Sequence, residues 1–135
     1  GYLDEWFASA QNFETLANDA HDRGMSREAA FLLHQATERY YHCLLLVLTL
    51  YSPKSHKLNF LRSQAERLAP ELIAAWPRES RFEQRCWELL RRAYVDARYS
   101  PHYKISGQEL AWLSERIAGL QKAVETICRE RLGVS

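Results

Sequence analysis

The stretch Ala93-Tyr-Val-Asp-Ala-Arg-Tyr-Ser-Pro-His-Tyr-Lys104 brings Arg98, His102, Lys104, Asp96 and the tyrosines Tyr94, Tyr99 and Tyr103 together where a helical pattern gives way to a loop. Guanidinium, imidazole and ammonium groups donate charge-assisted hydrogen bonds, which is the chemistry that holds a phosphate or a nucleotide. The tyrosines add rings for stacking and hydroxyls for hydrogen bonding. The same cations also fit a plainer role, complementing the dipole at a helix C-terminus. The two readings differ on whether Arg98 meets an anion from outside the chain.

A second set of polar residues lies upstream. Ala30, His34, Glu38, Tyr41, Leu45 and Leu48 form a stripe beside the apolar seam Ala29, Leu33, Ala36, Tyr40, Cys43, Val47 and Leu50. A carboxylate bordering a core must be paired or change its protonation. Arg91, Tyr94 and Arg98 share one helical face. Glu38 is therefore expected to position Arg98, with His34 beside it; a structural salt bridge is the alternative. Lys54, His56 and Lys57 follow in a loop, where Lys54 is expected to add positive field. His34 and His42 stand about 12 Å apart along a helix, and no His-Glu-x-x-His is present, so neither a metal nor a cofactor is expected. No glycine-rich phosphate loop or Gly-x-Ser-x-Gly elbow occurs. Cys43, Cys86 and Cys128 fall on or beside apolar stripes and read as buried, reduced thiols rather than nucleophiles.

These residues need a scaffold, and the pattern predicts an all-α, up-and-down bundle of four to five helices. The first helix is expected over roughly Leu3–His21, closed by Gly24. Ser26 is expected to cap a second helix reaching Leu50 or Tyr51. A shorter helix covers Lys57–Leu68, and a further turn carries Leu72, Ile73 and Trp76. Ser80-Arg-Phe-Glu83 and Ser106-Gly-Gln-Glu109 fit capping boxes for the last two long helices. The first of these is expected to line its inner face as far as Ala97. Trp76 and Trp112, near helix ends, are candidates for the core or for a subunit contact. The 135 residues suit one domain, and a formal charge of +1 excludes a whole-surface nucleic-acid binder, so any anion site must be local. The longest apolar run, Cys43–Leu48, is too short to cross a bilayer, and a cytoplasmic location is expected.

Ala29-Ala-Phe-Leu-Leu-His-Gln-Ala-Thr-Glu-Arg-Tyr-Tyr41, Tyr51-Ser-Pro-Lys-Ser-His-Lys-Leu58 and Leu90-Arg-Arg-Ala-Tyr-Val-Asp-Ala-Arg-Tyr99 together resemble the HEPN domain family. They are most similar to HEPN domains that lie C-terminal to a nucleotidyltransferase domain. The resemblance implies that residues 1–135 form one bundle excised from such a longer protein, which the absence of an initial methionine fits. It implies a homodimer that binds nucleotide or RNA and assists a nucleotidyltransferase fused to it or acting in trans. Arg98 would contact phosphate, supported by Lys104, Lys54, Tyr94, Tyr99 and Tyr103. Some members of the family are metal-independent ribonucleases or toxins, with an arginine followed after four to six residues by a histidine. Here only Tyr99, Ser100 and Pro101 separate Arg98 from His102, so the pair is a degenerate version of that motif. The expected function is non-catalytic binding and dimerisation; a ribonuclease using Arg98 and His102, or a pure dimerisation scaffold, are the alternatives.

Overall fold

The computed structural model describes residues 1–134, apart from the side chain of Tyr2. Among them the chain is helical, without strands. It runs through α1 (Tyr2–Asp22), α2 (Ser26–Thr49), α3 (Leu58–Leu68), a 3₁₀ turn (Pro70–Ala75), α4 (Arg81–Arg92), the short α5 (Asp96–Tyr99) and α6 (Gly107–Leu132).

The central helix is α2. It packs most extensively on α1 and α6, and it also touches α3, α4 and α5. Its apolar seam explains this: Ala29, Leu33, Ala36, Tyr40 and Cys43 are buried and Val47 is half-buried, whereas Leu50, expected to end the seam, is 87% exposed. Leu110, Leu113, Ile117, Leu120, Val124 and Cys128 bring the matching stripe of α6, and all are fully buried. Truncating one of the large aliphatic residues here to alanine costs about 2–5 kcal/mol, from lost transfer energy and the cavity left behind.

Local signals set the helix ends. Gly24 adopts φ 76°, a left-handed conformation open to glycine, and Met25 N–H donates back to Ala20 O at 2.8 Å. Both capping boxes form as expected: Ser80 Oγ accepts from Glu83 N–H and Ser106 Oγ from Glu109 N–H, each at 3.1 Å. Ser26 is not the expected cap. Met25 occupies that position and Ser26 is already helical, without a side-chain capping bond. Leu50 ends α2 with φ 61°.

The largest departure from expectation is at the end of α4. The helix stops at Arg92 instead of continuing to Ala97. Tyr103 Oη donates to Leu89 O at 2.6 Å, at the turn where the helix ends. Ala93 N–H donates to Leu90 O at 3.1 Å. The chain then makes a turn and starts again as α5, which changes the direction in which Arg98 projects.

Trp76 is 2% exposed, and its Nε1–H donates to Tyr41 Oη at 2.8 Å. It is a core residue and offers no subunit contact. The three cysteines are all buried and form no disulfide.

Candidate functional site

Arg98 is held from three sides without being sealed. Its Nε–H donates to Tyr94 O at 2.7 Å. Its guanidinium carbon lies 4.7 Å from the ring centre of Phe31, 4.8 Å from that of Tyr94 and 4.9 Å from that of Tyr99. The aromatic rings fix the plane of the fork and attract its charge, while the side chain remains exposed. The two nearest expected acids are engaged elsewhere. Asp96 pairs with Arg92 at 2.9 Å, and Glu38 pairs with His56. Arg98 lines a hollow of about 400 Å³ together with Arg27, Glu28, Phe31, Leu32 and Ala97.

Glu38 does not position Arg98, contrary to expectation. Its buried carboxylate accepts from Nδ1–H of His56, on the loop after α2. A second histidine ties the same loop down: His42 donates from Nε2 to Ser55 O at 3.0 Å and accepts at Nδ1 from Ser52 Oγ at 2.7 Å. The His56 ring then stacks on Tyr94, with centroids 4.5 Å apart and planes 13° from parallel. His34 is fully buried, with its ring centre 5.2 Å from that of Tyr94. It reaches Arg98 only through that ring. Burial, then the charges of His56 and Arg98, push the His34 imidazole down to about 4. Its Nε2 has no hydrogen-bond partner among the described residues.

The other candidates separate clearly. Tyr99 is 71% exposed and available for stacking. Tyr94 is half-buried, its ring already packed by His56, Phe31 and Arg98. Tyr103 is not a ligand residue: it is 2% exposed, its hydroxyl is spent on Leu89 O, and burial raises its pKa. Lys54 and Lys104 are exposed. Lys54 lines a groove with His56, Lys57, Arg91, Arg92 and Tyr94. His102 is exposed, and only its backbone N–H is fixed, by Ser100 Oγ at 3.3 Å. Among the described residues nothing orients its imidazole toward Arg98.

Sequence reasoning missed the residue that builds this corner. Arg27, near the start of α2, donates to Ala97 O and Tyr103 O at 3.0 Å each, Ser100 O at 2.5 Å and Asp96 O at 3.3 Å. These carbonyls belong to α5 and to the loop beyond it, and two of them, Asp96 O and Ser100 O, also accept backbone N–H bonds. One guanidinium thus folds the segment that presents Arg98.

A family model for the HEPN domain matches residues 3–128. The chain belongs to the HEPN domain family. Comparison with curated proteins returns no match. HEPN membership accords with the all-helical bundle and implies a nucleotide- or RNA-related role or a role in dimerisation. In this HEPN domain Arg98 is exposed at the rim of the hollow, whereas Glu38 ties down the loop after α2 and Tyr103 bonds the end of α4. No helix among the described residues is long and apolar enough to cross a membrane.

Proposed function

We propose that this HEPN domain binds a phosphate-bearing nucleotide or RNA at Arg98 and performs no chemistry on it. The observation that supports this is an exposed guanidinium on an aromatic floor, with Glu38 and Asp96 committed to other partners and only the exposed Glu28 sharing its hollow. Such a fork matches two phosphate oxygens at once. Lys54 and Lys104 add positive field, and Tyr99 offers a ring to a base. His102 lacks an orienting partner among the described residues, which favours binding over ribonuclease action. On this reading the domain acts as a cytoplasmic homodimer alongside a nucleotidyltransferase domain, fused or separate, a context the sequence resemblance suggests. Titration with ATP, GTP and a short RNA at low salt tests the proposal. Binding is expected in the wild type, with a loss of about tenfold or more in Arg98→Ala. Absence of binding, or unchanged affinity in the variant, would refute it.

A further inference from the structure

Arg98 and His56 both pack on Tyr94 but open into different depressions. Arg98 faces the smaller hollow beside Phe31, and His56 lines a groove of about 920 Å³ between the loop after α2 and the α4–α5 turn. In that groove Arg91 is paired with Glu88 and Arg92 with Asp96. Lys54 and Lys57 carry no ion pair among the described residues. Asn59 lines both this groove and the next one along α3, of about 820 Å³, where Arg67 and Arg78 are exposed. The Arg98 hollow and the His56 groove flank one ring: the His56 centroid lies 4.5 Å from that of Tyr94, and the Arg98 guanidinium carbon lies 4.8 Å from it.

His56 is the fixed group in its groove. Its side chain is 59% exposed, whereas that of Glu38 is 5% exposed. Because Glu38 takes the Nδ1 proton, Nε2 is the nitrogen left to address a ligand. The His42 bonds to Ser52 and Ser55 and the stack on Tyr94 restrain the ring further. A cation held in place loses less entropy on binding than a free lysine does.

We infer that His56, with Lys54 and Lys57, forms a second anion position beside Tyr94, so that the site takes a short single-stranded oligonucleotide with one phosphate at Arg98 and another at His56. This rests on the reading of Arg98 as a phosphate ligand. The groups facing His56 are Glu38, His34 and His42 from α2, Tyr94 and Arg98 from the α4–α5 region, and its loop neighbours Lys54 and Lys57. Burial holds both His34 and His42 below the usual imidazole value. With Nδ1–H given to Glu38, Nε2 donates to an anion only when the ring carries both protons.

The test measures dissociation constants for adenosine monophosphate and for an unstructured oligoribonucleotide of about ten residues, at fixed low salt, across pH ~5.5 to ~8. Wild type is expected to bind the oligonucleotide less tightly as pH rises. His56→Gln is expected to weaken the oligonucleotide about tenfold at the acid end, flatten its pH dependence, and leave the monophosphate within about twofold. Lys54→Ala is expected to weaken the oligonucleotide more than the monophosphate, with the pH dependence retained. Equal losses for both ligands in His56→Gln, or an unaltered pH profile, would overturn the inference. Unchanged binding of both ligands in Arg98→Ala would instead remove the reading beneath it, and the inference with it.

Discussion

Arg98 owes its availability to the pairings around it. Glu38 is consumed by His56 and Asp96 by Arg92, and the aromatic contacts hold the guanidinium without using its terminal donors. Two neighbours carry testable consequences. His34 is buried and held down to about 4, so between about pH 6.5 and 4 the unfolded chain takes up a proton that the folded chain refuses. Stability is fully present above that window and is lost as pH falls through it, by up to about 3 kcal/mol. Denaturant melts across the window should show this slope, reduced in His34→Gln. Tyr103 acts through one hydrogen bond to Leu89 O. Tyr103→Phe is expected to lose about 1–2 kcal/mol by denaturant melt while nucleotide affinity stays close to wild type. At this scale the sequence was half legible. The cations and aromatic residues were evident in the Ala93–Lys104 stretch, but the burial of Tyr103 and the choice of His56 over Arg98 by Glu38 depend on tertiary approach. Helical spacing names a face and leaves the partner open.

The elements that present the site are α2, the loop after it, and the broken α4–α5 segment. Arg27 holds the last of these by backbone carbonyls some seventy positions away, and carbonyl acceptors leave no trace in a sequence. Arg27→Ala should therefore cost about 2–3 kcal/mol, and Arg27→Lys should recover little of it, because an ammonium cannot span that set of carbonyls. Hydrogen exchange provides the local check: amides around residues 96–104 should exchange faster in both variants, ahead of those in α6. The contrast with the capping boxes is instructive. Ser80–Glu83 and Ser106–Glu109 are local, complete within one turn, and were readable. The end of α4 was not: the tyrosine that bonds Leu89 O there lies fourteen residues on.

The whole molecule is close to neutral, with a formal charge of +1, so attraction for an anion arises from local placement of Arg98, Lys54, Lys57 and Lys104. Affinity should fall with added salt, and the slope of log affinity against log salt should be shallow, near that of two or three phosphate contacts. A steep slope would indicate a broader basic surface. The bundle itself was legible because its apolar stripes on α2 and α6 are long and regular, and an error of one residue at a helix end does not move a buried face. The central claim is that Arg98 is a ligand residue and not a structural one. Nucleotide-induced stabilisation against heat tests it most directly. Saturating ATP or short RNA should raise the melting temperature of the wild type and leave that of Arg98→Ala unmoved, with the unliganded proteins melting nearly together. A variant that melts well below the wild type, paired with no stabilisation of the wild type by any nucleotide, would contradict the account.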